Sequence, residues 1–238
     1  MFLADRCPSP SRRARSYGGG RSLRQILGAA VCSVALFAAT AVPFAKGEAS
    51  VRIVALGDSL TAGLGLPEKD GFVARLQAAL AAKGVAAEIV NAGVSGDTAS
   101  SGLARLDWSV PEGTDAVIVE LGANDMLRGI KPQLTRTALE TILQRLTDRH
   151  VAVLLCGMRA APNLGADYGR SFESIYPELA AKYGALLYPF FLDGVAADLG
   201  LTQHDGLHPT AAGVDVIVAR VLPKVEELIA RSHMQHPS

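Results

Sequence analysis

The feature that most constrains this chain is a repeated change of hydrophobic period between residues 51 and 231. Five short runs are rich in Val, Ile, Leu and Ala: Val51–Leu56, Ala86–Val90, Ala116–Leu121, Val151–Cys156 and Ala185–Tyr188. They are close to continuously apolar, which fits strands covered on both faces. Helical spacing fills the gaps. Gly71–Lys83 puts Phe72, Leu76, Ala79 and Leu80 on one side and stops at Gly84. Pro132–Arg149 opens on a proline suited to a first helical turn and carries Leu134, Leu139, Ile142, Leu143 and Leu146 as its stripe. Ser171–Lys182 and Thr210–Arg231 complete the set. The alternation predicts an α/β fold of three layers, a five-stranded parallel sheet between two helical layers. In such sheets the working residues sit in loops beyond the carboxyl ends of the strands. No internal repeat or interdomain linker interrupts residues 50–238, so they read as one domain.

Four of those loops are polar. After the first strand comes Gly57-Asp58-Ser59-Leu60-Thr61-Ala62-Gly63. A serine on a tight strand-to-helix turn either projects its hydroxyl above the sheet as a nucleophile or caps the helix behind it. Thr61 stands where a Gly-x-Ser-x-Gly elbow would have its second glycine. After the second strand, Asn91–Thr98 contains Gly96, whose lack of a side chain lets a backbone N–H approach a ligand, or simply makes a turn. After the third strand, Asn124 offers an amide that suits either a developing oxyanion or loop backbone groups. Before the last helix, His204-Asp205-Gly206-Leu207-His208-Pro209 holds a histidine three residues after a carboxylate. Serine needs a base that works near neutrality, and a carboxylate at that spacing can fix the imidazole's tautomer. A metal reading of His204, Asp205 and His208 competes, without a further ligand cluster to support it. His204 otherwise reads as a bystander or pocket wall.

In combination the four blocks resemble the SGNH (GDSL) hydrolases. They occur in order: Gly57-Asp58-Ser59-Leu60, Gly96, Gly122-x-Asn124-Asp125 and Asp205-x-x-His208. The segments Ser95–Thr98, Gly102–Leu106, Val119–Gly122, Tyr176–Ala180 and Pro189–Phe191 are similar to the bacterial thioesterase I, arylesterase and lysophospholipase L1 branch. The resemblance covers residues 51–220. It implies a flavodoxin-like sheet of order 2-1-3-4-5, no metal or other cofactor, and hydrolysis of small acyl esters or thioesters, lysophospholipids among them. It maps Ser59 to the nucleophile, His208 to the base and Asp205 to its partner, with the N–H groups of Ser59 and Gly96 and the Asn124 amide as oxyanion donors. A carbohydrate O-acetylesterase would use the same machinery. A phosphate-binding protein of similar fold would have no use for Asp205 and His208. Met126 and Leu127, with Met158 and Pro162 in the loop after the fourth strand, are the expected acyl-pocket wall.

Charge is distributed unevenly. The whole chain balances 23 basic against 23 acidic residues, which argues against a nucleic-acid binder. Residues 1–49 nonetheless hold seven Lys/Arg and only two Asp/Glu, leaving a mildly acidic body. Six of the seven are arginines before residue 25, and the 21-residue run QILGAAVCSVALFAATAVPFA follows them. A basic head, an apolar stretch and small residues at its end describe a signal peptide, cleaved after Ala41 or Ala45. An uncleaved anchor is the alternative, and would be the protein's membrane contact. Either way the body is expected outside the cytoplasm, periplasmic or secreted. Cys7 and Cys32 lie in this head, so the body keeps only Cys156, which reads as a buried hydrophobe.

Overall fold

The computed structural model describes residues 50–235; the segment 1–49, and with it the export reading, lies outside them. Five strands form one parallel sheet: β1 (Val51–Gly57), β2 (Ala87–Gly93), β3 (Ala116–Glu120), β4 (Ala152–Cys156) and β5 (Leu186–Tyr188), in the order β2-β1-β3-β4-β5. Every residue of β3 and β4 is buried, as runs broken only by Glu120 require. β2 differs. It is a half-exposed edge strand, and it continues three residues past the apolar run, pairing Asn91, Ala92 and Gly93 with Ala55, Leu56 and Gly57. The second polar loop therefore starts at Val94. The free edge of β2 is partly covered by Gln77, whose amide donates to the Ala87 carbonyl and accepts from the Ile89 N–H. An uncovered edge invites pairing with other chains.

The helices are α1 (Ser59–Ala62), α2 (Phe72–Ala82), α3 (Ala99–Ala104), α4 (Leu106–Ser109), α5 (Ala123–Leu127), α6 (Pro132–Asp148), α7 (Ala166–Glu173), α8 (Ile175–Tyr183) and α9 (Ala211–Gln235). Helices α2 and α9 pack together over one face of the sheet, and α3, α6 and α8 over the other. The expected helix over 171–182 is two helices broken at Ser174. Pro177 has no N–H to return to Glu173, so the ladder is interrupted there. The last helix runs beyond Arg231, through Pro223, to Gln235. The short α3 and α4 lie in a stretch too poor in periodicity to be read from sequence.

One apolar core joins both layers through the sheet. Leu56, Ile118, Leu139, Leu143 and Leu154 are among its fully buried members, each contributing roughly 1.5–3 kcal/mol through burial. Cys156 lies in this core, and burial pushes its thiol well above the usual range, the reverse of what a nucleophile needs. No helix among the described residues is long and apolar enough to cross a membrane.

Candidate active site

The carboxyl ends of β1, β2 and β3 and the loop before α9 converge on Ser59. Gly57 makes the turn sharp: a Cβ there would collide with Thr61 Oγ1 and sit 2.8 Å from the Glu120 carbonyl. Asp58, not Ser59, caps α1, its Oδ1 accepting from the Leu60 N–H at 3.0 Å. The Ser59 hydroxyl is thereby free of capping, and it meets His208 Nε2 at 2.8 Å. On the other side of the ring, Nδ1 lies 2.6 Å from Asp205 Oδ2. The carboxylate selects the tautomer with Nδ1 protonated and leaves Nε2 to accept the serine proton.

The loop carrying this pair is fastened at both ends. Asp205 Oδ1 accepts from the Leu207 and His208 N–H groups. The bond to the His208 ring, and after it these two, hold the Asp205 carboxyl down at about 2 although nearly half of its side chain is open to water. Gln203 is the fastener that sequence reasoning missed. Its side chain donates to Leu64 O, just past α1, and to Pro209 O, so the histidine loop is tied to the serine loop. Phe191, after β5, packs edge-on against Phe72 of α2 at 5.0 Å between ring centres.

The expected oxyanion donors differ from one another. Gly96 adopts φ 87°, which a glycine accepts without strain, inside a turn closed by the Asp97 N–H on Val94 O. The N–H groups of Ser59 and Gly96 have no acceptor among the described residues. Asn124 is engaged: its Nδ2 donates to Asp58 Oδ2 and to Asp97 O, both at 3.0 Å. A substrate oxyanion must therefore displace or share one of these acceptors.

Beneath the serine lies a polar shelf with no counterpart in the sequence reading. Asp58 and Glu120 are both fully buried. Burial pushes Asp58 up to about 6, against the lowering effect of the Leu60 N–H and the Asn124 amide. Glu120 is raised well above the ordinary glutamate value, by burial first and by the Asp58 charge second. Thr61 donates to Glu120 Oε2 at 2.9 Å. The residue that breaks the Gly-x-Ser-x-Gly pattern thus supplies this acid with a partner. Asp125, also buried, receives the Ala99 N–H and the Thr135 hydroxyl and so ties α5 to α3 and α6. A charged residue inside an apolar strand was the available signal for Glu120, and Asp125 stands in the third sequence block, where no role was read for it; Gln203 carried no signal.

The expected pocket residues separate. Met126 and Met158 are buried in the core, Leu127 is half exposed and Pro162 is exposed. Met126 and Met158 pack on the core side of their loops, whereas Leu127 stays at the surface one helical turn from Asn124. His204 is exposed beside Asp205. Among the described residues no group of three His, Cys, Asp or Glu is placed to hold a metal ion.

Residues 55–216 match the GDSL-like Lipase/Acylhydrolase family. The chain is 39% identical to Esterase TesA of Pseudomonas aeruginosa, over 76% of this chain and 90% of that protein. It is 35% identical to thioesterase 1/protease 1/lysophospholipase L1 of Escherichia coli K12, over 77% and 88%. The crystal structure of AlinE4, an SGNH-hydrolase family esterase, superposes with a TM-score of 0.64 at 48% identity, over 75% of this chain and 96% of that one. The chain belongs to the GDSL-like lipase/acylhydrolase family.

Proposed function

We propose that this protein hydrolyses carboxylic esters and thioesters through an acyl-enzyme on Ser59. The observation that carries the reading is the unbroken chain from Ser59 Oγ through His208 to Asp205, at 2.8 and 2.6 Å. A phosphate-binding loop protein has no use for it. His208 Nε2 takes the serine proton as Oγ attacks the acyl carbon. Asp205 keeps the ring oriented and stabilises its charged form. The Ser59 and Gly96 N–H groups receive the oxyanion, joined by Asn124 when it exchanges one of its two protein acceptors. His208 then protonates the leaving alcohol or thiol, and water repeats the sequence on the acyl-enzyme. Lysophospholipids are proposed as one substrate class because the relatives include a protein named lysophospholipase L1.

Ser59→Ala is the direct test. Activity on p-nitrophenyl esters and acyl-CoA should fall by at least about a thousandfold, leaving only what binding and the oxyanion donors supply. Covalent labelling by a serine-directed phosphonate should disappear with it. A variant with half the parent rate would remove Ser59 from the mechanism. We further propose that residues 1–49 export the body, on the strength of their basic head and apolar run. N-terminal sequencing of protein recovered outside the cytoplasm should begin near Val42 or Lys46; an intact N-terminus on membrane-bound protein would mean an anchor.

A further inference from the structure

Arg105, between α3 and α4, is a cation with almost no access to water: its side chain is 9% exposed. A guanidinium is tolerated in such a place only when its donors are satisfied. Its Nε donates to Asp97 Oδ2 at 2.6 Å, Nη2 to Gly57 O at 2.9 Å and Nη1 to Ser109 Oγ at 2.9 Å. The first two partners are not scattered. Gly57 O ends β1 two residues before Ser59, and it also accepts from the Val94 N–H at 3.0 Å. Asp97 follows Gly96; its N–H closes the turn around Gly96, and its carbonyl receives Asn124 at 3.0 Å. Each of the three expected oxyanion donors is therefore one hydrogen bond or at most two residues away from a residue that Arg105 holds.

We propose that Arg105 is the positioning residue of the oxyanion site, clamping the end of β1 to the Gly96 turn so that the donors from three loops stay in register. The proposal rests on the active-site reading above. Arg105 touches no substrate; it acts through Asp97 and Gly57. The planar fork matters, because a lysine is a point charge and cannot meet the Asp97 carboxylate and the Gly57 carbonyl from fixed directions at once. An oxyanion site works by having its dipoles already aimed, so a small loss of register lowers the rate of the chemical step more than it weakens substrate binding.

The test uses the full chain with Arg105→Lys and, separately, Asp97→Asn, which keeps the backbone carbonyl that Asn124 uses. Melting temperature, kcat and KM on p-nitrophenyl acetate, and the rate of inactivation by a p-nitrophenyl phosphonate are measured on each. Both variants should lose about tenfold to a hundredfold in kcat, somewhat less than deleting a donor outright. Phosphonylation should slow in parallel, since its adduct also places an oxygen among the donors, while KM stays within a few fold. The double variant should lose less than the product of the single losses, because both break one clamp. Packing of α3 alone would instead lower the melting temperature and leave the kcat of the folded fraction untouched. That result, or parent kcat in either folded variant, overturns the proposal. If Arg105→Lys does not fold, Asp97→Asn decides alone. Ser59→Ala assayed alongside separates the two levels: substantial activity there refutes the active-site reading itself, whereas loss there with parent kcat in the clamp variants refutes only Arg105.

Discussion

Two aspartates stand on opposite sides of the serine–histidine contact, and their surroundings drive them apart. Asp58, next to Ser59 in the chain, is sealed beneath the site and pushed up to about 6. Asp205, above it, has nearly half its side chain in water and is held down at about 2. Both accept backbone N–H groups and both accept from a side chain. Desolvation makes the difference: below the serine it outweighs the donors, and above it the donors dominate. The comparison assigns different work to the same residue type. Asp205 stays charged across the working pH range and can stabilise an imidazolium. Asp58 caps a helix and receives Asn124, beside a second acid that burial also pushes up.

The largest expected effect breaks the upper half of this comparison. Asp205→Asn keeps the size of the side chain but loses its charge, and its amide can now favour the wrong tautomer of His208. We expect kcat to fall on the order of a thousandfold. The side chain is nearly half exposed, so water screens what its charge adds to stability, and the melting temperature near pH 7 should fall only modestly. Steady-state kinetics beside a thermal melt checks this. Retention of a tenth of the parent activity would show that His208 works without a charged partner, and the contrast between the two aspartates would lose its catalytic meaning.

The next prediction concerns stability, where the two regions have opposite signs. Asp58 and Glu120 bind protons more tightly folded than unfolded. Their stabilising contribution is complete below about pH 4 and is lost as pH rises through the folded values, about 6 for Asp58. Asp205 is the reverse: its contribution is present above about pH 4 and fades as pH falls toward 2. Glu120→Gln keeps the shape of the protonated acid and removes its titration and its effect on Asp58. Melting temperatures from pH 4 to pH 8 should fall less steeply in this variant than in the parent. Equal slopes would mean that the shelf does not titrate as a buried pair.

The same contrast explains what could be read from the sequence. The strands and the four loops were legible because period and motif are local: Ala116–Leu121 is apolar but for Glu120, and β3 is buried along its whole length. Ser59, His208 and Asp205 were legible for the same reason, each within a short block whose residue types suit one chemistry. The export segment was legible as composition alone and lies outside the described residues. The shelf was not legible, because burial of Asp58 and Glu120 depends on which strands become neighbours: pairing of β1 with β3 brings Gly57 opposite Glu120, although several helices and the whole of β2 separate them in the chain. Arg105 and Gln203 are of the same kind. The burial of Met126 and Met158 is of the same kind, since the apolar character of their loops does not say which side chains turn down into the core.

The smallest predicted effect tests how far the upper, open side of the site reaches. In α5, neighbouring residues divide between the two environments: Met126 is buried in the core, and Leu127 is half exposed one turn from Asn124. If an acyl chain leaving Ser59 lies over Leu127, each methylene it buries there contributes about 0.8 kcal/mol. Leu127→Ala should then weaken kcat/KM for an eight-carbon ester by about fivefold to tenfold relative to a two-carbon ester, within the roughly 1–3 kcal/mol a hydrophobic wall can express. Its melting temperature should stay close to the parent's, because an exposed leucine leaves no cavity. Met126→Ala should do the opposite, opening a cavity in the core and lowering stability without a chain-length preference. Equal losses on both esters in Leu127→Ala would place the acyl chain elsewhere, and a chain-length effect in Met126→Ala would mean that the substrate opens the core side of α5 when it binds.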